Sequence, residues 1–73
     1  MNEVDFLSNI AEILEVDENK INLDTDFRKD VDDFDSLKGF SMIVFFEDEC
    51  EKIVTVEQFL NAKTIGDLYK LVN

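Results

Sequence analysis

The 73-residue chain contains no histidine, no proline and no tryptophan, and only one cysteine and two glycines. Without histidine there is no serine–histidine triad, no histidine general base and no histidine metal ligand. The lone Cys50 excludes an intrachain disulfide and any multi-cysteine zinc site. The lack of proline and the scarcity of glycine favour helices over a turn-rich sheet. Basic residues are few: 7 lysines and arginines face 18 acids, for a formal charge of -11. That field repels nucleic acids and anionic membrane surfaces. The longest apolar run, Met42 to Phe46, is far below the ~20 residues of a membrane span, so no membrane insertion is expected. The opening Met1-Asn2-Glu3-Val4-Asp5 lacks the basic-then-apolar pattern of a signal peptide. The expected location is the cytoplasm, with Cys50 reduced. These absences exclude most enzyme classes.

What is present can fill a core. The chain is 45% hydrophobic with seven phenylalanines, unlike a disordered acidic tail. Its length, against ~150 residues for an average domain, leaves room for a single domain over 1–73. Such a core clears the entropy cost of folding by only a few kcal/mol.

Periodicity predicts four helices. Over 3–16, Leu7, Ile10, Ala11 and Leu14 fall on one stripe, with Asn2 as cap and Asp5 three residues on. From Asp17 to Asp35 no period is sustained, and Ile21, Leu23, Phe27 and Val31 stand as apolar anchors of a long loop. The second helix runs from Ser36 to about Lys52. Gly39, Met42, Ile43, Phe46 and Cys50 share its core face, while Leu37, Ser41, Val44 and Asp48 lie opposite with Glu47 and Glu51 beside them. A short third helix starts at Thr55, with Gln58 completing a capping box. Thr64 and Asp67 repeat that pattern for the last helix, whose Ile65, Leu68, Leu71 and Val72 turn inward. The expected fold is a small all-α four-helix bundle with a long loop between the first two helices and a short third helix.

The best candidate for chemistry is Ser36 in Asp33-Phe34-Asp35-Ser36-Leu37. Its hydroxyl stands where an acidic loop enters a helix, beside backbone amides able to hold a phosphate. Spacing alone equally describes an ordinary helix N-cap.

Asp35-Ser36-Leu37, followed by a helix ending in Glu47-Asp48-Glu49, resembles the acyl carrier proteins. The similarity extends upstream through Val16, Ile21, Thr25 and Phe27, and downstream through Thr64-Ile65 and Leu68-Tyr69-Lys70-Leu71-Val72. The resemblance implies that a phosphopantetheinyl transferase, with coenzyme A and magnesium, attaches 4'-phosphopantetheine to Ser36 between Asp35 and Leu37. The terminal thiol of that arm holds an acyl group as a thioester for partner enzymes, and the protein itself catalyses nothing. It further implies a monomer that meets an acyl-loading enzyme and a ketosynthase or acyltransferase bearing a basic docking patch. Leu37, Val44, Glu47, Asp48 and Glu51 would face such partners. Gly39, Met42, Phe46, Val54, Phe59, Ala62 and Leu68 would line any acyl cavity, a shallow one suited to short or polar cargo because Phe46 and Phe59 are bulky.

The chain departs from these relatives at Lys38, Gly39 and Ser41, where an acid or a small polar residue is usual, and at Asp33, which replaces a glycine. These differences point to a specialised lipid, polyketide or surface-polysaccharide pathway. An aminoacyl or peptidyl carrier, or an unmodified acidic interaction module, are the alternatives. Asp24, Asp26, Asp30, Asp32, Asp33 and Asp35 crowd the loop, but neither Asp24 nor Asp30 begins a calcium-loop spacing. Cys50 reads as a small buried hydrophobe.

Overall fold

Asn2 begins the first helix as its side chain accepts the Asp5 amide at 2.8 Å, and acids at Glu3 and Asp5 complement the positive helix end. In the computed structural model, which describes residues 1–73, α1 spans Glu3–Leu14, α2 Ser36–Glu49, α3 Val56–Asn61 and α4 Ile65–Val72. The bundle is all-helical apart from turns and one isolated bridge between Asp26 and Thr64.

Two helix ends and one loop turn differ from the sequence reading. α1 stops at Leu14, not 16, because Glu15 turns to the left-handed region at φ 60°, its N–H donating to the Ala11 and Glu12 carbonyls. α2 stops at Glu49, not near Lys52: Cys50 is its C-cap, Glu51 adopts φ 56°, and the Lys52 N–H donates back to Phe46 at 3.0 Å. The long loop carries a single 3-10 turn over Glu18–Lys20.

The core stripe is also rotated. α1 buries Phe6 completely, with Ile10, Ala11 and Leu14, while Leu7 is half-buried. α2 buries Phe45 as well as Gly39, Met42 and Phe46, and leaves Ile43 half-exposed. The aromatic side chains explain the shift. Phe6 stacks on Phe46 with ring centroids 6.0 Å apart and tilts against Phe45 and Tyr69 at 6.1 and 5.1 Å. Rings of this size, packed offset or edge-on, outweigh the burial that Leu7 would contribute.

Of the four expected loop anchors, Ile21, Phe27 and Val31 are buried and Leu23 is half-buried against the core. Thr25 is buried too, accepting the Asn22 amide through its hydroxyl at 2.9 Å. The loop is tied to α4 by backbone bonds from Ile65 to Thr25 and from Gly66 to Leu23, at 3.0 and 2.8 Å. Both predicted capping boxes form, Thr55 with Gln58 and Thr64 with Asp67. The long segment without regular structure is thus tied to the bundle by buried anchors and by backbone bonds to α4.

Candidate functional site

The start of α2 is built by Asp35. Its backbone is extended, and its carboxylate accepts the Lys38 amide at 2.9 Å, so Asp35 and not Ser36 is the N-cap. Ser36 is the first residue of α2, exposed, with its hydroxyl released from the capping role that spacing alone had offered it. A fourteen-residue helix begins there; its first turn holds no acid, and the capping Asp35 carboxylate adjoins Ser36.

Two of the unusual residues meet beside this serine. Lys38 Nζ donates to the Asp33 carbonyl at 3.0 Å and lies 3.7 Å from a Glu15 carboxylate oxygen. The lysine thereby closes the loop onto both the start of α2 and the end of α1. Ser41 returns its hydroxyl to the Leu37 carbonyl at 3.0 Å, within its own helix.

An open, mainly apolar groove of about 500 Å³ adjoins Ser36 between α2 and α3. Phe34, Asp35, Ser36, Gly39, Phe40 and Ile43 form one side, and Val56, Phe59 and Leu60 the other, with Arg28 at the rim. Phe40, Val56 and Leu60 are exposed there at 63%, 65% and 65%, an apolar patch well beyond one stray side chain. Of the residues expected around a cavity, Gly39 and Phe59 border this groove. Met42, Phe46 and Leu68 are fully buried, and Val54 and Ala62 nearly so, in the packed core beneath it. Phe40, Ile43, Val56 and Leu60 were not legible as groove residues, because only the placement of α3 across α2 brings them together.

Arg28 was missed altogether. It donates to the Ala62 carbonyl at 2.6 Å and the Phe59 carbonyl at 2.7 Å, 34 and 31 residues away. Its guanidinium lies 4.6 Å from the Phe27 ring centroid and 5.2 Å from that of Phe59. A lone arginine in an acidic loop carries no local signal of such a role.

On the other side of α2, Leu37 is 72% exposed and Val44 38%, with Glu47 and Asp48 in solvent. Glu51 lies past the helix end, in the left-handed turn. The loop acids do not converge into a group of three or more able to hold a metal ion. Instead Asp26 accepts the Arg28 and Lys29 amides at 3.0 and 3.1 Å, bonds that hold its carboxyl below the ordinary carboxylate range. Asp67 is held low in the same way, chiefly by the Thr64 amide and then by that of Lys63. Cys50, expected to be buried, is only half-buried at the end of α2, packed against the core, and burial pushes its thiol up.

A family model described as a phosphopantetheine attachment site matches residues 5–72. The chain belongs to that family. As a phosphopantetheine carrier it attaches 4'-phosphopantetheine covalently and is not itself an enzyme. No curated protein matches the chain. The residues present fit the group: the Ser36 side chain, free of the capping role, opens α2 in an exposed position, and an apolar groove lies alongside. No helix of the carrier is long and apolar enough to cross a membrane.

Proposed function

We propose that this carrier is an acyl carrier protein modified at Ser36, and that it delivers acyl groups to partner enzymes in a specialised lipid, polyketide or surface-polysaccharide pathway. The observation that supports Ser36 most is the division of labour at the start of α2, where Asp35 caps the helix and the serine hydroxyl stays in solvent. In the modification, a phosphopantetheinyl transferase uses coenzyme A and magnesium. Ser36 Oγ gains a bond to phosphorus, adenosine bisphosphate leaves, and the hydroxyl proton passes to a base on the transferase. The attached arm supplies a thiol that holds cargo as a thioester.

The chain's own residues then have three tasks. The positive end of α2 faces the phosphodiester on Ser36, beside the Asp35 carboxylate that already takes the Lys38 amide. Leu37 and Val44 offer apolar contact to the acyl-loading enzyme and to a ketosynthase or acyltransferase. Glu47 and Asp48, with Glu51 from the adjoining turn, match a basic patch on those enzymes, which raises encounter rates without making release slow. The net charge of -11 supports a monomeric, cytoplasmic carrier that avoids nucleic acid.

The test is the intact mass after incubation with coenzyme A, magnesium and a broad-specificity transferase, beside Ser36→Ala. One added phosphopantetheine, lost in the variant, supports the reading; a gain that survives in Ser36→Ala overturns the site. A thiol assay does not serve, because Cys50 already contributes a thiol. An aminoacyl or peptidyl carrier would pass the same test and differ only in the cargo its loading enzyme supplies.

A further inference from the structure

A tethered apolar cargo has three places to go: into water, onto the groove beside Ser36, or into the core. The core is closed. Met42, Phe46 and Leu68 have no exposed surface, and interiors packed to crystal density have no room for a chain without displacing something. The way in from Ser36 passes Gly39, where a Cβ would already stand 3.3 Å from Phe59 and 3.4 Å from Phe34. The space beside the glycine is thus filled by two rings, and a chain enters only by displacing Phe59, the nearer of the two, or Phe34.

Phe59 rides on α3, a helix with little of its own to hold it beyond buried Val54 and Ala62 at its flanks. It is six residues long, against the ~12 that make even a good helix marginal alone, and Phe59 is its one buried side chain. Arg28 supplies the rest. Its two charge-assisted bonds take carbonyls at the C-terminal end of α3, where a cation is favoured, and its guanidinium lies against both the Phe27 and Phe59 rings, which also pack on each other. Arg28 itself is anchored, since its amide donates to Asp26, Asp26 bridges to Thr64, and neighbouring Phe27 is fully buried.

We propose that Arg28 is a specificity-determining residue: it latches α3 over Gly39, keeps the groove beside Ser36 shallow, and confines the carrier to short or polar acyl groups held outside the core. This rests on Ser36 as the attachment site. Long alkyl chains attached there stay largely in water or lie loosely along Phe40 and Leu60. Such cargo is open to capture, hydrolysis and aggregation, so it is poorly carried.

The test uses the full chain loaded from octanoyl-coenzyme A, with the added mass on Ser36 checked first. Relaxation of the octanoyl methyl by a soluble paramagnetic agent is then compared with that of free octanoyl-phosphopantetheine. In the wild type the two agree within about twofold, and in Arg28→Ala the attached methyl becomes protected by about fivefold or more as α3 yields. Arg28→Met, which keeps the stem against the rings but removes the donors, carries the comparison if the alanine variant unfolds. Strong protection in the wild type, with contacts from the chain to Met42 or Leu68, overturns the proposal, and so does a folded Arg28 variant that protects no better than wild type. A missing mass gain removes the attachment reading and this inference together; a mass gain with a buried chain removes this inference alone.

Discussion

The Asp35 carboxylate accepts the Lys38 amide at 2.9 Å and caps α2 one residue ahead of Ser36, whose hydroxyl is left to solvent. With Ser36 as the proposed attachment site, the structural and chemical tasks of this loop–helix junction fall on adjacent residues, and substitutions separate them. Asp35→Ala should lower stability by about 1 kcal/mol, the usual worth of a cap. Ser36→Ala should change it by less than about 0.5 kcal/mol while abolishing the mass gain. Urea melts of the two variants check this; a Ser36→Ala loss as large as that of Asp35→Ala would return the capping role to the serine.

The two glycines should respond in opposite ways. A Cβ at Gly66 would sit 2.9 Å from the Leu23 carbonyl, the same backbone oxygen that accepts the Gly66 N–H at 2.8 Å. Backbone has little freedom to give way, so Gly66→Ala should cost about 1–3 kcal/mol. At Gly39 the neighbours are ring edges, and half-buried Phe34 can shift. There the helix gain of about 1 kcal/mol offsets the tighter contact, leaving Gly39→Ala near wild type. Gly39→Val should cost about 1–3 kcal/mol by overpacking. Thermal melts of the three variants decide it, and equal losses at Gly66→Ala and Gly39→Ala would contradict the packing argument.

Asp26 and Asp67 are both held below the ordinary carboxylate range, chiefly by amides they accept from Lys29 and from Thr64. A carboxyl with a lowered folded-state pKa binds protons more weakly folded than unfolded. Its stabilisation is present above the unfolded value of about 3.9 and is lost as pH falls through the lower folded value. The double variant Asp26→Asn with Asp67→Asn should therefore lose less melting temperature than wild type between about pH 5 and pH 2. Comparing the two cancels most of the general relief of charge repulsion on acidification. Parallel curves would show that these amide bonds do not stabilise the ionised form.

Cys50 should alkylate slowly. Burial raises its thiol pKa, so little thiolate forms near neutrality, and the side chain is half-covered at the end of α2. Its rate with iodoacetamide at pH 7.5 should be about tenfold below that of the same protein in urea. Equal rates would place the thiol in solvent.

Docking charge should divide at the end of α2. Glu47 and Asp48 lie on the helix beside exposed Val44, whereas Glu51 sits beyond it at φ 56°. Replacing Glu47 and Asp48 by lysine should slow association with the transferase by about tenfold at low salt, and the deficit should shrink as salt rises. Glu51→Lys should do less, because its turn does not share the rigid face. Stopped-flow association rates measure this; an effect of Glu51→Lys matching the double variant would extend the docking face past the helix.

The helices and the caps of α1, α3 and α4 are legible in the sequence because each depends on neighbours three or four residues away. The loop anchors stand out as isolated apolar residues in polar sequence. Asn2, Thr55 and Thr64 announce helix starts by short-range bonding, and Ile10, Ala11 and Leu14 by their period. Asp35-Ser36-Leu37 likewise marks the candidate site as a local string. Three features were decided only by the tertiary structure. Phe6 and Phe45 enter the core because ring packing between α1 and α2 rotates the buried stripe. Ser36 is freed from capping because Asp35 competes for the same amides and the loop delivers it in an extended conformation. The groove and its Arg28 latch join residues more than thirty positions apart, through bonds to backbone carbonyls that every residue carries. Periodicity records which face of a helix is buried, but it carries no trace of a side chain's choice among distant main-chain oxygens, since those oxygens are the same whatever the sequence.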